Sequence, residues 1–154
     1  MIDVNSEITK LFSINKLNVV ITGASRGIGL HLANFFHKSG SNLLLVGRKK
    51  MVENNKLANF YESCDVNDLQ KFKSLCQFFR KKFGLIDVLI NNAGISIDTK
   101  LEKNKFTDFK ETLDTNLISN YRCCEIIFPL MRRGGSIINI SSVASLLGMK
   151  KNPG

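Results

Sequence analysis

Eight residues constrain this chain more than any others: Thr22-Gly23-Ala24-Ser25-Arg26-Gly27-Ile28-Gly29. They follow the β-branched run Val19-Val20-Ile21. They lead into a stretch with apolar residues at Ile28, Leu32, Phe35 and Phe36, closed by Gly40. A strand, a glycine turn and a helix together form the setting in which a backbone can wrap a dinucleotide. Gly23 permits a turn that a Cβ would block. Gly27 lets the backbone approach a pyrophosphate, and Gly29 lets the helix pack closely on its strand. The helix start then offers unpaired N–H groups and partial positive charge. The spacing, Gly-x-x-x-Gly-x-Gly, differs from Gly-x-Gly-x-x-Gly. Taken alone it reads equally well as a tight strand-to-helix turn.

The rest of the chain repeats the alternation. Periodicity predicts strands over 16–22, 43–46, 60–64, 86–90 and 136–140, with both faces of the first apolar, as in a buried parallel strand. A helix is expected from about Arg26 to Ser39. A second opens on Asn67 with Gln70 as a capping-box pair and runs to Gly84. A long third one is capped by Thr107, carries Phe106, Phe109, Leu113, Leu117, Cys124, Phe128 and Met131 at helical steps, kinks at Pro129 and stops at Gly134-Gly135. Residues 1–15 read as an N-terminal extension whose Ile8, Leu11 and Phe12 dock as one helical turn. Residues 143–154 read as a loop. Residues 16–154 then form one α/β domain, a Rossmann-like doubly wound parallel sheet of about five strands with right-handed crossovers.

In such a fold the end of the second strand lies beside the adenosine ribose. No acid stands at Gly47; Arg48 follows it, and Arg26 sits inside the glycine turn. Two guanidinium groups suit a 2′-phosphate, because Arg pairs bidentately with phosphate oxygens. The expectation is NADP(H) over NAD(H); the alternative is that both Arg are solvated loop residues. The net charge of +9, from 22 Lys and Arg against 13 Asp and Glu, is scattered over positions that read as solvated faces. No groove-reading motif accompanies it, so neither nucleic acid nor a membrane is an expected partner. The longest apolar runs are too short to span a bilayer, and the start of the chain shows no basic segment before an apolar core; a cytoplasmic location is expected. Cys64, Cys76, Cys123 and Cys124 form no Cys-x-x-Cys, and His31 and His37 read as ordinary helix residues, so no metal site is expected.

Four motifs stand in one order: Thr22-Gly23-x-x-x-Gly27-x-Gly29, Asp65-Val66, Asn91-Asn92-Ala93-Gly94 and Ser136-Ile-Ile-Asn-Ile-Ser-Ser142. Together, each at a strand end, they resemble the short-chain dehydrogenase/reductase family over about residues 16–154. The likeness is nearest to the branch of 3-oxoacyl-carrier-protein reductases and sugar or gluconate dehydrogenases. The resemblance implies an oxidoreductase that moves a hydride between a nicotinamide and a small carbonyl or alcohol substrate. It implies that Gly23, Ser25, Arg26, Gly27, Ile28 and Gly29 hold the pyrophosphate. Asp65 and Val66 would flank the adenine, and Asn92, Ala93 and Gly94 would line the adenosine ribose. Asn116 matches the family's helix Asn, which helps hold a water in a proton relay. Ser142 matches the catalytic Ser, which hydrogen-bonds the substrate oxygen. The family is commonly a homo-oligomer, tetramer or dimer.

The family's general acid/base is a Tyr followed by Lys in Tyr-x-x-x-Lys, with the Lys lowering the Tyr pKa. Tyr61 is followed by Glu-Ser-Cys-Asp and Tyr121 by Arg-Cys-Cys-Glu, so neither fits. In the family the Tyr lies roughly a dozen residues beyond the Ser, where both converge on one substrate oxygen. Gly154 is 12 residues beyond Ser142. The resemblance therefore implies the cofactor-binding part of a longer enzyme, inactive alone, with its fifth strand an unpaired edge and its long helix partly exposed. Such a chain is expected to be marginally stable and prone to aggregate. The competing expectation is a naturally short, non-catalytic NADP(H)-binding or regulatory protein.

Overall fold

The computed structural model describes residues 13–49, 60–97 and 105–143, with Phe60 described by its backbone. The elements are β1 (Asn18–Thr22), α1 (Gly27–Lys38), β2 (Asn42–Gly47), β3 (Phe60–Ser63), α2 (Leu69–Phe83), β4 (Ile86–Asn91), α3 (Phe106–Leu113), a π-helical turn (Asp114–Ile118), α4 (Ser119–Ile127), a 3-10 turn (Phe128–Leu130) and β5 (Met131–Asn139). The five strands pair in the order β3-β2-β1-β4-β5, all parallel. This is the Rossmann-like doubly wound α/β sheet. Its direction of growth reverses between β1 and β4, where such sheets open a crevice beyond their C-terminal ends.

Alternation along the strands builds two cores. Val19, Ile21, Leu43, Leu45, Val88 and Ile90 face Ala33 and Phe36 of α1. Val20, Leu44, Val46 and Leu89 face Phe72, Cys76 and Phe79 of α2 and Cys123 and Ile127 of α4. Every residue of β1 is buried, because helices cover both faces of the sheet at its centre. Ile14 and Leu17 pack against the first of these cores, so the segment just before β1 docks. Ile8, Leu11, Phe12 and the loop beyond Val143 lie outside the described residues. Among the described residues no helix is long and apolar enough to cross a membrane.

Three boundaries differ from expectation. Asp68, not Asn67, caps α2: its carboxylate accepts the Lys71 N–H at 3.1 Å, while the Asn67 N–H turns back to Asp65 Oδ1 at 2.9 Å. Lys105 rather than Thr107 stands at the N-cap of α3, and the Asp108 carboxylate accepts its N–H at 3.3 Å. The long helix is not one helix kinked at Pro129. It widens into the π turn and ends at the 3-10 turn, where Pro129, with no N–H to donate, closes the helical run.

β5 also starts earlier than expected. It pairs Ile86 with Met131, bulges, and resumes with Val88 opposite Ser136. Gly134 has φ +80°, and a Cβ on Gly135 would stand 3.0 Å from the Asp87 carbonyl oxygen, so the bulge uses both glycines. The bulge also lets the Arg132 guanidinium reach the buried Asp87 carboxylate. β5 is the sheet edge, with Ile137, Ile138 and Ile140 exposed, and Phe106, Phe109, Leu113 and Leu117 form an exposed apolar face on α3 and the π turn.

A polar cluster closes the N-terminal end of the sheet. Asp87 Oδ2 accepts the Asn18 N–H at 2.8 Å. The Asn18 amide donates to Phe83 O at 2.8 Å and Leu85 O at 2.9 Å, and its oxygen accepts the Asn42 amide at 2.9 Å. Asn18→Ala keeps the main-chain bond to Asp87 but leaves Phe83 O, Leu85 O and the Asn42 amide without their partner. It is expected to lower the free energy of unfolding by about 1–3 kcal/mol, read as a fall in the urea midpoint.

Burial pushes the Cys64 thiol up to about 11 and the Cys123 thiol up to about 12, and raises Cys76 further in the same direction. In the unfolded chain these thiols ionise near pH ~8.5. Above that pH the native state binds more protons than the unfolded state. The stabilisation is thus fully present below about pH 8.5 and is lost as pH rises through the folded values. Unfolding midpoints measured from pH 7 to 10.5 should fall above about pH 8.5, and replacing Cys64 and Cys123 by Ala should flatten that fall.

Candidate functional site

The crevice at the β1/β4 switch point is built by cross-ties between two turns. Thr22 Oγ1 accepts the N–H of Asn92 and the N–H of Ala93, each at 3.0 Å. The Asn92 amide donates to Thr22 O and Gly23 O, each at 3.1 Å. Contact is close enough to demand glycine. Gly23 has φ +65°, and a Cβ there would stand 2.8 Å from Ala93 Cα; one on Gly29 would stand 2.5 Å from Gly23 O. Gly27, at φ +56°, faces open space on its Cβ side, so its constraint is conformational. α1 begins directly after this turn. Its N-cap Arg26 makes no side-chain cap bond and its first turn holds no acid. Its leading N–H groups are therefore left to an outside acceptor.

Around this turn lies a cleft of about 310 Å³. The glycine turn supplies Gly23, Ser25, Arg26, Gly27 and Ile28 to it. The turn after β2 supplies Arg48, the segment after β3 supplies Asp65 and Val66, and the turn after β4 supplies Asn92, Ala93 and Gly94. Every residue expected to bind the coenzyme therefore lines one cleft except Gly29, which packs behind the turn. Arg26, Arg48 and Lys49 set three cations against the single carboxylate of Asp65, an electrostatic environment that favours an anion.

Asn116 and Ser142 lie outside the cleft lining. Asn116 sits in the π turn and clasps the segment after Gly94: its Oδ1 accepts the Ile95 N–H and its Nδ2 donates to Ile95 O, both at 2.8 Å. Ser142 follows β5 and is exposed. The pairing of Asn91 with Asn139 and the bond from the Ile140 N–H to Asn91 O (2.9 Å) carry Ser141-Ser142 to the C-terminal side of the sheet, beside the Asn92–Gly94 turn.

Several lining residues were not foreseen: Gly47, Lys49, Cys64, Ile95 and Thr115. Gly47, Lys49, Cys64 and Ile95 flank motifs already singled out, and a strand end read one residue more widely would have included them. Thr115 had no such signal. It reaches the cleft because the π turn rotates it inward, where its hydroxyl accepts the Asn67 amide at 3.2 Å. Burial pushes the Cys64 thiol up to about 11, which keeps it protonated at neutral pH. Among the described residues no group of three or more His, Cys, Asp or Glu is placed to hold a metal ion.

Comparison with known proteins agrees with this geometry. The family described as short chain dehydrogenase matches residues 17–154. The L-fucose dehydrogenase of Oryctolagus cuniculus is 33% identical over 136 residues, covering 84% of this chain and 48% of that protein. The 3-oxoacyl-[acyl-carrier-protein] reductase of Staphylococcus aureus is 35% identical over 148 residues, covering 89% of this chain and 59% of that protein. The chain thus spans about half the length of the curated relatives it matches. Among solved structures, the ligand-free aldohexose dehydrogenase of Thermoplasma acidophilum superimposes with a TM-score of 0.82 at 31% identity, over 90% of this chain and 54% of that one. With a family match over nearly its whole length and these relatives, the chain belongs to the short-chain dehydrogenase family.

Proposed function

We propose that this chain is the coenzyme-binding part of an NAD(P)-dependent oxidoreductase that moves a hydride between a nicotinamide and a carbonyl or alcohol carbon, with NADP(H) preferred. The observation that carries the reading is the Gly23–Gly29 turn, wedged against Asn92-Ala93 at the sheet's switch point and opening on an uncapped helix start. The residues fit such a coenzyme. The open Cβ side of Gly27 leaves room for a pyrophosphate, and the α1 N–H groups can meet its oxygens. Asp65 and Val66 border the place of the adenine, and Asn92 to Gly94 that of the adenosine ribose. Arg26 and Arg48, both at the cleft wall, would hold a 2′-phosphate by charge-assisted hydrogen bonds.

When bound, the coenzyme supplies the hydride donor or acceptor. Ser142 would hold the substrate oxygen, and Asn116 would support a water relay. Proton transfer to that oxygen needs a group of suitable pKa within reach. Tyr61 and Tyr121 do not stand in a Tyr-x-x-x-Lys pattern, so this chain binds coenzyme without completing the reaction. The exposed apolar face of α3 and the π turn supports burial against a further surface of the enzyme or a second subunit.

Fluorescence titration with NADPH and NADH tests the reading on the chain itself. NADPH should bind more tightly than NADH. Arg48→Asp should remove a charge-assisted contact and repel the phosphate, moving the ratio of the two affinities toward NADH by about tenfold or more. Absence of binding by either coenzyme would refute the reading, and an unchanged ratio in the variant would refute the role of Arg48.

A further inference from the structure

Three consecutive carbonyls, that of Gly47 at the end of β2 and those of Arg48 and Lys49 after it, turn toward the edge strand β3 and its end. Gly47 O accepts the Cys64 N–H at 3.0 Å. Arg48 O accepts the Ser63 hydroxyl at 3.1 Å. Lys49 O accepts the Tyr61 hydroxyl, which also reaches Gly47 O at 3.5 Å. The first bond is main chain to main chain. The other two come from side-chain hydroxyls that the sheet itself does not require.

Both hydroxyls are anchored. Tyr61 packs against the core that contains Ile21, Leu45 and Phe36, and burial raises its hydroxyl pKa so that it stays a donor. Ser63 O accepts the Lys71 ammonium at 2.6 Å. Gly47 is pinched between this strand and the glycine turn: a Cβ there would stand 3.2 Å from Tyr61 Oη and 3.3 Å from Ser25 Oγ. The edge strand, the β2 turn and the glycine turn thus touch in series.

A carbonyl oxygen facing an anion repels it. With the carbonyls of Gly47, Arg48 and Lys49 engaged on the β3 side, Arg48 and Lys49 line a cleft that is free of their opposing dipoles. We propose that Tyr61 and Ser63 are positioning residues that hold the Arg48–Lys49 turn in this orientation and thereby set the preference for a 2′-phosphorylated coenzyme. The proposal rests on the coenzyme reading given above. Neither residue touches the coenzyme; each acts through the turn.

The test compares wild type, Tyr61→Phe and the double variant Tyr61→Phe/Ser63→Ala, with Tyr121→Phe as control because Tyr121 is exposed on α4 away from the cleft. Losing one neutral hydrogen bond should weaken NADPH binding about threefold to tenfold and leave NADH unchanged, with a larger loss in the double variant. A purely structural role would weaken both coenzymes alike, and that result would overturn the proposal. Amide hydrogen exchange at Arg48 and Lys49 provides a readout independent of coenzyme. It should speed up in Tyr61→Phe and not in Tyr121→Phe; unchanged exchange would overturn the tether. Faster exchange in a chain that binds NADPH and NADH equally would leave the tether standing and overturn the selectivity it is said to set, together with the coenzyme preference.

Discussion

The Thr22 hydroxyl closes the C-terminal ends of β1 and β4 on each other. At that point the chain leaves β1 for one face of the sheet and β4 for the other, so the two strands lose their ladder partners together. The N–H groups of Asn92 and Ala93 would be stranded in a half-buried crevice, and an unpaired buried donor costs about as much as a lost hydrogen bond. One oxygen with two lone pairs satisfies both. The Asn92 amide returns the favour to the carbonyls of Thr22 and Gly23. The closeness that follows excludes a Cβ at positions 23 and 29 and aims the start of α1 into the cleft.

The opposite end of the same strand is tied with comparable economy. Asn18 joins β1 to β2 through Asn42, to the α2–β4 turn through two carbonyls, and to β4 through Asp87. Between these polar ends β1 is apolar on both faces. A one-residue slip would exchange the residues of its two cores and break both ties, so the register is specified three times over. The periphery has no such redundancy. β5 reaches its pairing through a bulge held by Asp87 and two glycines, and it leaves Ile137 and Ile138 exposed at the edge.

What the sequence made legible follows from the same physics. Strands buried on both faces appear as β-branched or leucine runs, broken in β4 by Asp87, so β1, β2 and β4 fall within a residue or two of where pattern places them. The glycine turn and the Asn92–Gly94 turn were legible because a required absence of Cβ and a small amide motif leave fixed letters. Caps were less so: Asn67 and Asp68 are chemically near-equivalent N-cap residues, and the choice between them depends on Asp65 capturing the Asn67 N–H first. The π turn left no mark at all. Its extra residue is accommodated by contacts distant in sequence, from Asn67 to Thr115 and from Ile95 to Asn116, which no local periodicity encodes. Thr22 continues the strand pattern of β1, and the part its hydroxyl plays depends on β4 lying beside it, which no local pattern encodes.

Asn116 illustrates how far a family role depends on such local detail. Both polar atoms of its side chain bond Ile95, one accepting and one donating, which fixes the carboxamide against the segment after β4. Its backbone carbonyl is engaged as well. That oxygen accepts the Asn120 amide at 2.8 Å. Asn120 in turn offers its own carbonyl to the Asn91 amide at 3.4 Å, and Asn91 also reaches Asn139 on β5 at 2.9 Å while its own buried oxygen has no partner among the described residues. Asparagines thus run from the sheet edge to the π turn, and the position of the Asn116 carbonyl is set by this chain of amides as much as by the helix that carries it.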